Sequence, residues 1–312
     1  MEKTLGTSAR DVVGFGDDVS AVRLTNNQLA VLKTDMLVGS TDVPPGMTMR
    51  QTARKAIVAN VSDFVAKGVR PYAGIIALGL PASLTRHDVQ QLANGLRDGA
   101  KEYRFPLIGG DTNESKDLVI SVSLFGVIKR NRIVLRSGAR IGDIVAVTGK
   151  FGSTSAGLRA ILDKKILPQK LPRELARAVY RPSAQLDIGM RLAATGTVTS
   201  SIDSSDGLAW SLHELSKISR IGIRVSNIPV SKAAKEFATG YGYDPLDLAL
   251  YGGEEYNLIV TVKPHQLTIA QKAAHGRLTP IGIVTHRAEG VHFSKDGEDV
   301  KIEMKGWEHF RN

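Results

Sequence analysis

The chain has 312 residues, 42% of them hydrophobic and 23% charged, with a formal net charge of +10. That balance describes a folded globular protein of about two domains and excludes a disordered or fibrous chain. There is no cysteine, so disulfides, thiolate zinc sites, iron–sulfur clusters and a cysteine nucleophile are excluded, and a reducing compartment fits.

Strands and helices alternate from the start. Leu29 to Thr34 reads as a short strand ending in Asp35, and Thr48 to Lys67 as a helix opened by a Thr48/Gln51 capping box and stopped at Gly68. Tyr72 to Leu80 reads as an apolar strand, Arg86 to Tyr103 as a helix, and Leu107-Ile108 as a short strand running into Gly109-Gly110-Asp111. A β-rich stretch follows from Leu118 to Ile128, and a turn over 137–143 introduces the strand Ile144 to Thr148. Gly149 to Leu158 is a Gly/Ser/Thr-rich loop entering a helix, and two polar clusters follow, Ile202 to Leu208 and Tyr251 to Tyr256. The expected fold class is α+β: two domains of mixed sheets packed with helices, divided near residues 130–145.

The longest charge-free apolar stretch, Pro71 to Thr85, contains Pro81 and falls short of the ~18–20 residues that cross a bilayer. The opening Met1-Glu2-Lys3-Thr4 has no apolar run, so no signal peptide is expected and the expected location is cytoplasmic. The basic residues are scattered, which argues against a nucleic-acid arm and leaves a bias toward small phosphorylated substrates. Gly149-Lys150 is followed by Phe151, so there is no Walker A loop. No GxGxxG after a strand, no HExxH pair and no GxSxG elbow is present.

What remains is a set of carboxylates at element ends beside Gly, Ser or Thr: Asp17-Asp18, Asp35, Asp111, Asp203 and Asp206. Singly, each is ordinary turn or cap chemistry. Asp63 differs, because it sits on an apolar helix with Ala56, Ala59 and Asn60 on its side. A carboxylate there either pairs with a cation or faces solvent at the helix end. Hard oxygen donors without His or Cys point to Mg²⁺, which usually also binds substrate phosphates. The glycines at 109–110 and 149–157 would let backbone N–H groups approach those phosphates.

The ordered motifs Gly16-Asp17-Asp18, Thr34-Asp35, Asn60 to Gly68, Gly109 to Thr112, Arg136 to Ala139, Ile202 to Leu208 and Gly252 to Tyr256 resemble those of the thiamine-monophosphate kinases. These belong to a superfamily with aminoimidazole-ribonucleotide synthetase and selenophosphate synthetase. The resemblance spans roughly residues 14 to 310. It implies ATP-dependent phosphorylation of thiamine monophosphate to thiamine diphosphate by direct in-line transfer, with ATP as co-substrate and no nucleic-acid or membrane partner. It implies an Mg²⁺ cluster on Asp18, Lys33 (through its carbonyl), Thr34, Asp35, Asp63, Asp111, Asp203 and Asp206. Gly110, Asp111, Arg136 and Ser205 would contact ATP, with Arg136 as charge stabiliser, and Asp42, Glu254 and Trp307 would lie at the thiamine end.

The same resemblance implies a homodimer whose N-terminal sheets complete a β-barrel. Residues 1–135 would bind ATP and Mg²⁺ and dimerise, and an α/β-type domain over 136–312 would complete the nucleotide and substrate site. Three departures stand out: Asp42 where the family often has His, Glu255 where its motif has Asp, and Asn94 where a tyrosine sometimes stands upstream of Gly109. The absence of cysteine argues against the selenophosphate-synthetase and hydrogenase-maturation relatives. A phosphatase using the same carboxylates with water as nucleophile is the rival chemistry.

Overall fold

One buried helix organises the first of the two units into which the chain divides, residues up to Ile133 and residues from Val134 on. The computed structural model describes residues 13–163, 171–295 and 297–306. In the first unit β1 (Ser20–Arg23), β2 (Gln28–Val38), β3 (Pro71–Leu80), β4 (Leu107–Glu114) and β5 (Val119–Lys129) form one sheet in the order β1-β2-β5-β3-β4. Only β3 and β4 pair in parallel. A short turn of helix, α1 (Gly39–Asp42), leads to the two long helices α2 (Met49–Ala66) and α3 (Arg86–Tyr103). Thr48 and Gln51 form the expected capping box at the start of α2, and Thr85 and Asp88 form a second one at the start of α3. The motif Gly109-Gly110-Asp111 lies inside β4 rather than after it.

Helix α2 is buried on nearly every face, including its polar residues Asn60, Ser62 and Asp63. Helix α3 packs along it through Gly95 and Gly99, four residues apart and therefore on one side. A Cβ on Gly95 would lie 2.1 Å from the Arg50 carbonyl, and one on Gly99 2.8 Å from the Ile57 side chain. Beyond this seam Arg54 grips Glu102 with two hydrogen bonds of 2.8 Å, and Arg50 pairs with Asp98. The seam sets the height of α2 above the sheet, and hence the position of Asp63.

The second unit contains a seven-stranded sheet in the order β12-β11-β8-β10-β6-β9-β7. Its strands are β6 (Ile144–Val147), β7 (Val198–Asp203), β8 (Gly222–Val225), β9 (Leu258–Val262), β10 (Thr279–Thr285), β11 (Val291–Lys295) and β12 (Glu298–Lys301). All pairs are antiparallel except β11–β8. The α/β-type domain expected here is therefore corrected to α+β. Helices α4 (Ser153–Leu162), α5 (Arg173–Tyr180), α6 (Leu186–Thr195), α7 (Leu208–Ser219), α8 (Lys232–Tyr241), α9 (Pro245–Tyr251) and α10 (Leu267–Ala273) complete the unit. The expected apolar side of α7, Leu208, Leu212 and Leu215, is wholly buried in its core. Among the described residues no helix is long and apolar enough to cross a membrane.

Gly95→Val overpacks the α2–α3 seam and should lower unfolding free energy by about 2–3 kcal/mol. Asn94→Ala, one residue away, should change it little; urea denaturation of the two variants compares them directly.

Candidate active site

Sequence locally dictates how the first acidic pair is delivered. Gly16 turns the chain at φ +96°, a conformation that L side chains rarely adopt, and presents Asp17 and Asp18 in succession. Lys67, at the C-terminal cap of α2, is fully buried and places its Nζ 2.8 Å from Asp17 and 2.7 Å from Asp18. A second lysine repeats the arrangement: Lys33 Nζ lies 2.8 Å from Asp63 and 3.0 Å from Asp35. Burial works against a charge on Lys33, but the Asp63 and Asp35 carboxylates outweigh it and hold the ammonium above its ordinary range. Asp63 is 5% exposed, so of the two readings open for it the solvent-facing one fails and the paired one holds. Asp18 and Asp63 each offer a carboxylate oxygen within 4.8 Å of the other.

Asn60, fully buried, aligns the rest. Its Oδ1 accepts the Asp35 backbone N–H at 2.9 Å, and its Nδ2 donates to the Ala56 carbonyl at 3.0 Å. The pairing of β1 stops at Leu32, so the Asp35 N–H lies beyond its reach and Asn60 takes the place of a strand partner.

Strand alternation separates two other expected ligands from this cluster. Thr34 faces the opposite side of the sheet, where its hydroxyl lies 3.0 Å from Ser123 and 3.3 Å from Ser121. Asp111 is exposed and stands in register with Ala77 and Ser121, on that same open side. From β2 to β4 is three strand spacings, about 14 Å. Within this unit Asp18, Asp35 and Asp63 converge, while the side chains of Thr34 and Asp111 lie on the other face of the sheet. Lys33 joins the convergent group by its ammonium. Asp42 turns its carboxylate back to accept the Val38 N–H at 2.7 Å, and its carbonyl accepts from Lys55 at 2.7 Å.

In the second unit the segments 203–207 and 252–257 are knitted together. Ser204 N–H donates to the Asn257 carbonyl at 2.9 Å, Asn257 N–H to Ser204 Oγ at 3.0 Å, and Glu254 N–H to the Ser205 carbonyl at 2.6 Å. Gly253 packs so close that a Cβ would lie 2.7 Å from the Ser205 carbonyl. Glu254 and Tyr256 hold positive φ values of 60° and 50°, a strain of the kind that recurs at functional loops. Asp203 is buried and Asp206 half-buried at the entry to α7. Arg136 extends toward Glu214 at 3.9 Å, and its carbonyl accepts from Ser219 Oγ. Trp307 lies outside the described residues.

Three functional features went unassigned in the sequence. Lys67 and Asn60 stand inside a quoted motif; the available signal was a polar stripe, Asn60, Asp63 and Lys67, in the half of the helix that also carries Ile57, Val58, Val61, Phe64 and Val65. Glu255 is the third. It is partly buried, and its Oε1 accepts from the Gly152 N–H at 2.7 Å and the Thr154 N–H at 3.2 Å. It thereby caps α4, whose own N-cap residue, Gly152, has no side chain to do so.

The convergent group suits Mg²⁺. Its donors are carboxylate oxygens only, and the Lys33 ammonium already shows that Asp35 and Asp63 can embrace one cation. Four carboxylates (Asp17, Asp18, Asp35, Asp63) against two ammonium groups leave a formal charge of −4 + 2 = −2, a net negative charge that attracts a cation.

Known proteins resemble this chain over most of its length. The family described as AIR synthase related protein, N-terminal domain, matches residues 16–128. A thiamine-monophosphate kinase of Nitrosopumilus maritimus is 40% identical over 95% of this chain and 93% of its own. The Escherichia coli K12 thiamine-monophosphate kinase is 33% identical over 96% and 92%. A solved structure described as AaThiL complexed with AMPPCP and TMP superposes with a TM-score of 0.85 at 32% identity, covering 99% of this chain and 94% of that one. The hydrogenase maturation protein HypE of Escherichia coli, at 19% identity and TM-score 0.74, shares the fold.

Burial pushes the Glu255 carboxyl up to about 7 from 4.5, against the opposing pull of the Thr154 and Gly152 N–H groups. A carboxyl raised in this way keeps its proton longer in the folded chain than in the unfolded one. Stability should therefore fall by about 3 kcal/mol as pH rises from 4.5 to 7 and level off above. Glu255→Gln, which keeps an acceptor for α4, should flatten that decline in denaturation curves taken at pH 5 and pH 8.

Proposed function

The chain belongs to the thiamine-monophosphate kinase family, and on that premise we propose how its residues carry the reaction. The protein transfers the γ-phosphoryl group of ATP to the phosphate of thiamine monophosphate, giving ADP and thiamine diphosphate. The observation that carries the site assignment is the gathering of four carboxylates around two buried or half-buried ammonium groups in the first unit.

Asp18, Asp35 and Asp63 are proposed to hold Mg²⁺, and Asp203 and Asp206 are proposed as further Mg²⁺ ligands in the second unit. Bound there, Mg²⁺ neutralises phosphate charge as a Lewis acid. Gly110, Asp111, Arg136 and Ser205 are assigned to ATP. A Cβ on Gly110 would lie 2.1 Å from the Ile76 carbonyl, so only glycine lets β4 lie this close to β3 at that point. Asp42, Glu254 and Trp307 are assigned to the thiamine end, where carboxylates suit a cationic ring and Trp307 would stack on it. Thr34 is assigned to the open side of the sheet with Asp111.

The acceptor is a phosphate monoester, already anionic near neutral pH, so no residue has to remove a proton before attack. The obstacle is repulsion between two anions, and the task of the side chains is alignment and charge. Arg136 supplies positive charge for it, and transfer is direct, without a phosphorylated side chain. An ATP-dependent enzyme belongs where ATP is held, and the proposed location is the cytoplasm.

A homodimer through the first unit is part of the proposal. The open side of the five-stranded sheet exposes Leu32, Met36, Tyr72, Ile75 and Ile108 at 48–71%. An apolar sheet face of this kind suits a second copy of itself, the two sheets closing a barrel.

Incubation with ATP, Mg²⁺ and thiamine monophosphate should yield thiamine diphosphate, and Asp63→Asn or Asp111→Asn should each lower kcat/KM by about 100-fold or more. Free phosphate in place of thiamine diphosphate would identify the phosphatase reading instead. Tyr72→Asp combined with Ile108→Asp should convert a sedimenting dimer to monomer; an unchanged sedimentation coefficient would discard the sheet-to-sheet dimer.

A further inference from the structure

The two lysines of the acidic cluster differ in one respect that bears on their roles. Lys67 is wholly buried, its backbone N–H fastened to the end of α2 and its ammonium closed in by Asp17 and Asp18. The Lys33 side chain is 19% exposed, and of its two partners Asp35 is 40% exposed and Asp63 only 8%. Lys33 therefore lies at the mouth of the cluster, with its ammonium between the two carboxylates that are proposed to hold Mg²⁺.

An ammonium and a divalent cation cannot both occupy that position. Two hydrogen bonds of 2.8 and 3.0 Å fill the space between Asp63 and Asp35, and Mg²⁺ demands oxygens at about 2.1 Å with near-octahedral geometry. We propose that Lys33 is a tethered counter-ion, which occupies the cation position between Asp35 and Asp63 before Mg²⁺ arrives and is displaced toward solvent when it binds. The inference rests on the reading of this cluster as a Mg²⁺ site.

The charges explain why such a device is useful. Without Lys33, the group of Asp17, Asp18, Asp35, Asp63 and the Lys67 ammonium carries a formal −4 + 1 = −3 in a mostly buried space. Like charges held so close would splay apart, or take up protons, between catalytic cycles. With Lys33 in place, the carboxylates stay gathered, at the cost of competition with the metal. Lys67 is the permanent part of the counter-charge and Lys33 the exchangeable part. Lys33 is thus a positioning residue that acts through Asp35 and Asp63.

The test is Mn²⁺ binding to the full chain without nucleotide, read from the paramagnetic resonance of free Mn²⁺, for the parent, Lys33→Met, Lys33→Gln and Asp63→Asn. Removal of the competitor should tighten binding in both Lys33 variants by about tenfold, the equivalent of about 1.4 kcal/mol, while Asp63→Asn weakens it. A Lys33 role confined to holding the fold together would not tighten binding. Equal or weaker affinity in the Lys33 variants, with parent binding still sensitive to Asp63→Asn, overturns this inference and leaves the Mg²⁺ reading standing. No saturable binding in any of the proteins overturns both. A measurement on the parent alone covers variants that do not fold: amine-reactive labelling with mass spectrometry should show Lys33 modified faster once Mn²⁺ is bound, with Lys67 unmodified throughout. Protection of Lys33 by Mn²⁺ would contradict displacement.

Discussion

Four aspartates crowd into one small region of the first unit because two lysines hold them there. A buried carboxylate without a counter-charge costs several kcal/mol, and its usual escape is to take up a proton. Lys67 and Lys33 close that escape by giving each pair of carboxylates an ammonium within 3.0 Å. Everything that positions these two lysines follows. The Gly16 turn brings Asp17 and Asp18 to Lys67, the α2–α3 seam fixes the height of α2, and Asn60 ties α2 to β2 at Asp35.

The same constraint explains an unusual helix. A helix buried on most of its surface would ordinarily be apolar all round. Helix α2 instead carries Asn60, Asp63 and Lys67 in a buried polar stripe, since each has a partner in the strand or turn beside it. The second unit solves a related problem with backbone. Ser204, Ser205, Glu254 and Asn257 hold the segments 203–207 and 252–257 against each other through two main-chain hydrogen bonds and one from the Asn257 N–H to Ser204 Oγ, and the helix beside them, α4, takes its cap from Glu255.

Much of the fold could be read from the chain. The capping box at Thr48, the apolar run of β3 and the leucines of α7 are local signals, and local signals survive folding. The convergence of Asp18, Asp35 and Asp63 was legible through resemblance and through the oddity of Asp63 on an apolar helix. Three things were not. The face on which Thr34 and Asp111 fall depends on strand register, which a motif does not encode. The antiparallel order of the second sheet depends on pairings between strands far apart in sequence. The roles of Lys33 and Lys67 depend on which carboxylates their long side chains reach, and a lysine beside an aspartate in sequence is usually a solvated surface charge.

Asp18, Asp35 and Asp63 are proposed to hold divalent cations that face the reacting phosphates. Anomalous diffraction from crystals grown with Mn²⁺, a non-hydrolysable ATP analogue and thiamine monophosphate tests it most directly. Mn²⁺ peaks are expected within about 2.3 Å of oxygens of these three carboxylates and of a phosphate oxygen. Mn²⁺ bound to the nucleotide alone, with Lys33 still bridging Asp35 and Asp63, would contradict it.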